Sequence, residues 1–109
     1  MSEAALIYTT WPDGESAAAA AALLLEDKLI ACANILAAGR SLYRWEGETC
    51  AEAETVMLLK TTADRVDTLR DRVLALHPYD TPCVLGIDLR GEQASPAFTQ
   101  WLHDAVQDA

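Results

Sequence analysis

The chain has 109 residues and a net charge of −9, from eight basic and seventeen acidic side chains, which disfavours nucleic acids and anionic membranes as partners. A chain of this length forms one domain, expected over residues 1–109, and buries a core without disulfides or a structural metal. Its three cysteines are odd in number, lie far apart and form no Cys-x-x-Cys pair, so the sequence indicates neither a disulfide framework nor a finger-type zinc site.

The cysteine pattern and the N-terminal residues predict a cytoplasmic protein. Free thiols are typical of a reducing compartment. Residues 1–10 lack a basic leader and an apolar signal core, and no stretch approaches about twenty apolar residues. We therefore expect neither secretion nor a membrane span.

The first predicted elements are a strand and a helix. Residues 4–11 form an apolar, β-branched and aromatic run that stops at Pro12. Asp13 is a typical N-cap, and the alanine- and leucine-rich segment after it predicts a helix to Leu29 with Lys28 in its last turn.

A long β-hairpin is predicted next. A strand begins over residues 30–36, and Gly39 indicates a bulge before the strand resumes. The turn falls at Glu46 and Gly47, and the returning strand runs to about Thr61. The two strands are about twice the usual length, so the hairpin extends beyond an ordinary sheet.

A second helix is predicted after the hairpin. Thr61 and Asp64 resemble a capping box, and Pro78 ends the helix just after His77. The apolar residues between them repeat at helical spacing: Val66, Leu69, Val73 and Leu76.

The last predicted elements are a strand over residues 83–89 and a helix opened by Ser95 and Pro96. One face of that helix is apolar: Phe98, Trp101, Leu102 and Val106. The element order predicts an α+β fold, a ferredoxin-like βαββαβ sandwich with a long β-hairpin and an added C-terminal helix.

The hairpin predicts a symmetric oligomer. An isolated two-stranded ribbon is marginally stable in water, and this one carries Leu42, Tyr43 and Trp45 near its tip. Exposed strand edges and aromatic side chains invite uncontrolled pairing, which a closed assembly of identical copies prevents. We therefore expect each hairpin to join a neighbouring copy.

Five motifs, in order along nearly the whole chain, resemble the divalent-cation tolerance (CutA) family. They are "CANIL" at 32–36, "SLYRWEGE" at 41–48, "MLLKT" at 57–61, "HPYDTP" at 77–82 and "WL" at 101–102. The resemblance implies a ferredoxin-like subunit in a tight homotrimer, similar to the PII signalling proteins, with the long hairpins building sheets between subunits. It also implies an association with copper and other divalent metal ions.

The chain departs from the family pattern at three positions. Asp80 and Cys83 stand where family members commonly have glutamates, and Thr9 stands where some members have a cysteine near the end of the first strand. Any metal site transferred by resemblance is therefore shifted from carboxylate toward thiolate ligands.

The segment "HPYDTPC" at residues 77–83 has two interpretations. His77 at the end of a helix and Cys83 at the start of a strand are both common structural residues. Alternatively, their imidazole and thiolate groups bind Cu(II) or Zn(II), the metals that such ligands prefer. A closed zinc site takes about four ligands, so a tight site would need Glu or Asp from a second subunit.

A second group of residues mixes aromatic and charged side chains on or near the hairpin: Tyr43, Trp45, Glu54, Lys60, Tyr79 and Asp80. Interface packing and salt bridges are one interpretation of this group. The other is a cleft between subunits in which Lys60 binds a small anion or metabolite, as the resemblance to PII-like trimers implies. No glycine-rich phosphate loop is present in the sequence, so a nucleotide is not specifically indicated.

Catalysis is not predicted. His77 and Cys83 could pair as base and nucleophile, but no oxyanion-stabilising or orienting group can be assigned to them. An acylphosphatase-like site would need Arg40 and Asn34 in one loop, which the sequence does not supply.

The function that we predict is a trimeric binding protein associated with divalent metal ions, copper or zinc, in cation tolerance or the response to metal ions. It needs no cofactor and has an unidentified protein partner. The alternative is a PII-like scaffold that senses a small-molecule effector at the subunit cleft, with metal incidental.

Overall fold

The computed structural model describes residues 3–107, except for the side chain of Glu92. Four antiparallel strands form one sheet, which from edge to edge contains the second, third, first and fourth strands of the chain, and this order confirms the ferredoxin-like α+β fold with a long hairpin and a C-terminal helix. No helix in this part of the chain is long and apolar enough to cross a membrane. The elements are β1 (Ala4–Trp11), α1 (Gly14–Glu26), β2 (Cys32–Trp45), β3 (Glu48–Thr62), α2 (Val66–Leu76), β4 (Val84–Asp88) and α3 (Pro96–Ala105), with 3-10 turns at Ala63–Arg65 and Gly91–Gln93.

The core lies between α1, α2 and one face of β1 and β3. Alternate residues of the two strands point into it, as expected for a sheet with one face covered by helices. Alanines on the buried side of α1 allow that helix to approach the sheet closely. The largest fully buried apolar side chains are Ile7, Trp11, Leu24, Ile30, Met57, Leu59, Leu69, Val73 and Val106.

Helix α1 begins as predicted and ends earlier than predicted. The Asp13 carboxylate accepts a hydrogen bond from the Ser16 N–H at 2.8 Å, which confirms the N-cap. Lys28 takes a left-handed conformation with φ of 57°, and the Leu29 N–H bonds to the Leu24 carbonyl in a Schellman motif. The prediction that Lys28 lies in the last helical turn is therefore wrong, because the chain reverses there and buries Leu29.

The hairpin has the predicted turn and bulge. Glu46 and Gly47 have φ of 49° and 82°, the conformation of a type I′ turn, and Trp45 pairs with Glu48. The register shifts between Leu36 and Gly39, which confirms the bulge. A Cβ on Gly39 would lie 2.7 Å from the Glu54 carbonyl oxygen, so only glycine fits this close backbone approach.

The predicted capping pair of Thr61 and Asp64 is wrong. Thr61 is buried in β3, and its hydroxyl donates to the Leu29 carbonyl at 2.8 Å. The hydroxyl of the next residue, Thr62, donates to the Asp64 carboxylate instead. Helix α2 ends at Leu76 just before His77, as the following Pro78 predicts.

The C-terminal elements are shorter or less buried than predicted. Cys83 precedes β4 rather than beginning it. Ser95 caps α3 by accepting from the Phe98 N–H at 3.4 Å. Of the apolar face of α3, Leu102 is buried, whereas Phe98 and Trp101 are 43% and 48% exposed in the single chain.

Candidate functional site on the hairpin arm and the loop after α2

The hairpin beyond the bulge, from Gly39 to Glu54, projects past the end of β1 and is called the arm here. Residues that pair directly across an antiparallel ribbon share one face, and alternate residues change face. One face carries glutamates and aromatic side chains, and we call it the acidic face: Gly39, Ser41, Tyr43, Trp45, Glu48, Cys50, Glu52 and Glu54. The other is the basic face: Arg40, Leu42, Arg44, Thr49, Ala51 and Ala53.

His77 is a buried structural residue in this conformation. The residue is 8% exposed, and its ring stacks on Trp11 with 4.1 Å between ring centroids. Nε2 lies 2.7 Å from the Thr10 carbonyl oxygen, which only accepts, so Nε2 carries the proton and donates. Nδ1 then accepts from the Tyr79 N–H at 3.2 Å. Neither ring nitrogen has a lone pair left for a metal, so these contacts conflict with the predicted ligand role of His77.

Cys83 lies close to Thr10 and Glu54, at the edge of the arm. Burial raises the pKa of the Cys83 thiol, the negative charge of Glu54 raises it further, and a hydrogen bond with the Thr10 side chain opposes both. A thiol with a raised pKa is a poorer metal ligand, since metals bind the thiolate. Among residues 3–107, no group of three or more His, Cys, Asp or Glu side chains could hold a metal ion. The described residues of one copy therefore do not bring together the donors of a tight copper or zinc centre.

Two tyrosine–glutamate pairs lie at the acidic face. The Tyr79 hydroxyl donates to Glu54 Oε2 at 3.2 Å, and burial, followed by the charge of Glu54, raises the pKa of Tyr79. The Tyr43 hydroxyl donates to Glu52 Oε1 at 2.9 Å, and this bond raises the pKa of Tyr43 to about 12. Both tyrosines thus act as hydrogen-bond donors to carboxylates across the neutral pH range.

The second predicted group is divided along β3 and does not form one cleft in a single chain. Tyr79 and Glu54 are together, with Asp80 exposed beside them. Lys60 is six residues farther along β3, about 20 Å away at the rise of an extended strand. Its ammonium lies 5.5 Å from the centroid of the Phe98 ring on α3. Trp45, at the tip of the arm, is 65% exposed.

The sequence interpretation missed Thr10, Trp11, Glu48 and Glu52. Thr10 and Trp11 fix the His77 ring, but they lie more than sixty residues away in sequence, and no local pattern indicates the pairing. The glutamates were detectable, because Glu48, Glu52 and Glu54 are all even-numbered positions of one predicted strand and so share a face.

Arg40 and Asn34, the residues that an acylphosphatase-like site would need, are also separate. Both residues lie on β2. Asn34 precedes the bulge and pairs with Leu58 of β3, whereas Arg40 follows the bulge and pairs with Ala53 of β3, so the two side chains lie on opposite faces of the ribbon. No loop holds them together.

Comparison with known proteins gives one consistent family. The sequence model of the protein family described as "CutA1 divalent ion tolerance protein" matches residues 5–105. The divalent-cation tolerance protein CutA of Pyrococcus horikoshii is 40% identical over 97 residues, which are 89% of this chain and 92% of that protein.

Solved structures agree with the fold. The crystal structure of the divalent ion tolerance protein CutA1 from Ehrlichia chaffeensis matches with a TM-score of 0.93 and 42% identity, over 98% of each chain. The structure described as the periplasmic divalent cation tolerance protein CutA from Archaeoglobus fulgidus matches with a TM-score of 0.89 and 38% identity, over 95% of this chain and 99% of that one. The chain belongs to the CutA1 divalent ion tolerance protein family.

Proposed function

We propose that this chain acts in divalent-cation tolerance as a homotrimeric binding protein and not as an enzyme. Support comes from the family match and from relatives whose names state that role. We place the protein in the cytoplasm on the basis of its three free cysteines, although its Archaeoglobus fulgidus relative is described as periplasmic.

The observation that carries assembly with further copies is the unsupported arm, and the number three comes from the resemblance to the family. Leu42 is 71% exposed and Trp45 is 65% exposed in the single chain, so both large apolar side chains meet water there. A two-stranded ribbon with large apolar side chains in water is marginal alone and aggregation-prone. Contact with neighbouring copies removes these side chains from water and so stabilises the arm.

The proposal includes weak binding of Cu(II) or Zn(II). His77 has both ring nitrogens hydrogen-bonded, and Cys83 has a raised pKa, so neither is a ready ligand within one copy. A tight centre would require donors from a second copy. We therefore expect weak binding in which the His77 ring is not a ligand.

A sedimentation experiment and a metal titration test the proposal together. We expect the protein to sediment as a trimer at micromolar concentration, and a stable monomer would contradict the account. Calorimetric titration with Zn(II) or Cu(II) is then compared for the wild type, Cys83→Ser and His77→Ala. A tenfold loss of affinity in His77→Ala alone would show that the imidazole is a ligand after all.

The alternative function, an effector sensor of the PII type, gains no support within one chain. Lys60, the proposed anion contact, is about 20 Å along β3 from Glu54, the partner of Tyr79, and its ammonium lies 5.5 Å from the centroid of the Phe98 ring. Within one copy these residues therefore do not line a common cleft.

A further inference from the structure

The bulge in β2 changes which residues share a face of the arm. Before it, Leu36 pairs with Val56, so even-numbered residues of the two strands lie together. After it, Gly39 pairs with Glu54, so odd-numbered residues of β2 join even-numbered residues of β3. The single extra residue therefore moves every later β2 side chain to the opposite face.

The shift in register decides whether the arginines of β2 lie opposite the glutamates of β3. If the register before the bulge continued, Arg40 would lie directly opposite Glu52, and Arg44 opposite Glu48. Both would be cross-strand ion pairs, which stabilise an antiparallel ribbon. In the observed register, Arg40 pairs with Ala53 and Arg44 with Thr49. The fold thus forgoes two ion pairs within the chain.

The result is a ribbon whose faces have opposite charge. The basic face has two arginines and no acid, and the acidic face has three glutamates and no base. Arg40 and Arg44 make no ion pair with any residue of the described range 3–107. Glu52 and Glu54 accept from tyrosine hydroxyls, which are neutral.

We propose that the basic face of the arm, Arg40 and Arg44 around Leu42, docks on the acidic face of a second copy of this chain, Glu48 and Glu52 beside Trp45. This inference rests on the proposed homotrimer and adds which surfaces meet. A cyclic trimer uses two different surfaces of each copy, and the two faces supply a complementary pair. A two-fold contact between like faces would instead bring like charges together, which is unfavourable.

Charge reversal on each face tests the proposal. In R40E/R44E both faces are acidic, and in E48R/E52R both are basic, so each variant should raise the dissociation constant of the trimer about tenfold or more. The fourfold variant R40E/R44E/E48R/E52R reverses both faces, keeps the net charge of the chain and should restore the trimer. The matched control R70E/R72E makes the same change in net charge on α2 and should alter the constant less than about twofold.

Sedimentation equilibrium over a range of protein concentrations gives the dissociation constant of the trimer for each variant. Far-ultraviolet circular dichroism verifies that each variant is folded. If the wild type is a trimer and R40E/R44E matches the control, or if the fourfold variant fails to restore assembly, this pairing of faces is wrong while the trimer stands. If the wild type is a monomer, the proposed function itself fails.

The salt dependence of the wild type gives an answer even if a variant does not fold. Contacts between charged faces weaken as the Debye length falls from about 10 Å at 0.1 M to about 3 Å at 1 M salt. The proposal predicts that the dissociation constant of the trimer is about tenfold lower at 0.1 M salt than at 1 M salt. Equal or weaker assembly at the lower salt concentration would overturn it, since apolar contacts alone do not weaken with added salt.

Discussion

The body of the sheet and the arm are parts of the same hairpin, yet they are stabilised differently. In the body, Met57 and Leu59 of β3 are fully buried under α1 and α2. In the arm, Leu42 on the neighbouring strand is 71% exposed, and no helix covers it. The β2–β3 ladder continues through both regions, so hydrogen bonding does not distinguish them. What distinguishes them is whether apolar side chains have partners within one chain.

The largest effect is expected from leucine truncation in the two regions. Leu59→Ala should lower the free energy of unfolding by about 2–5 kcal/mol, because it leaves a cavity in the core. Leu42→Ala should hardly change the stability of an isolated copy but should weaken assembly. Chemical denaturation at dilutions where the copies are separate measures both, and equal losses in that state would contradict the comparison.

His77→Ala tests the junction between body and arm. The substitution leaves the Thr10 carbonyl and the Tyr79 N–H without partners and removes the stack on Trp11. We expect a loss of about 2–4 kcal/mol in the free energy of unfolding. His103→Ala on α3, whose ring is adjacent to Gln107, is the control and should cost much less. Similar losses in the two variants would show that the His77 contacts add little.

Gly39→Ala tests the bulge that separates the two regions. The new Cβ would lie 2.7 Å from the Glu54 carbonyl oxygen, so we expect a loss of about 1–3 kcal/mol and weaker assembly. Gly14→Ala is a suitable control, because a Cβ there meets nothing within 4 Å. Thermal unfolding of the two variants checks this, and a Gly39→Ala protein as stable as the control would contradict the close approach.

The smallest effect concerns the Tyr43–Glu52 bond at the acidic face. The folded pKa of Tyr43, about 12, is above its usual value near 10, so the bond stabilises below about pH 10 and is lost as the pH rises through about 12. Ultraviolet titration, with Tyr43→Phe to identify the signal, should show this ionisation. Glu52→Gln should return it toward about pH 10, and an unchanged midpoint would exclude the bond as the cause.

Local features of the fold were predictable from the sequence. The Asp13 and Ser95 caps, the Gly39 bulge and the turn at Glu46 and Gly47 each depend on a few adjacent residues with specific backbone preferences. The early end of α1 was not predictable in this way, because Lys28 is not a residue that usually takes a left-handed conformation.

The candidate site was less predictable than the fold. The spacing of His77 and Cys83 suits both a metal site and a structural turn, and the choice depends on Thr10, which is distant in sequence. The division of charge between the faces of the arm depends on the register after the bulge, and a shift of one residue reverses it. Composition and periodicity do not fix such a register.

Hydrogen exchange of backbone amides, measured as the protein is diluted, tests most directly whether the arm depends on neighbouring copies. Amides of β1 and of residues 56–61 should stay protected at every concentration, because the core of one copy shields them. Amides of residues 40–53 should be protected in the assembly and exchange rapidly once the copies separate. Arm amides that remain as protected as those of the body in a separated copy would contradict the account.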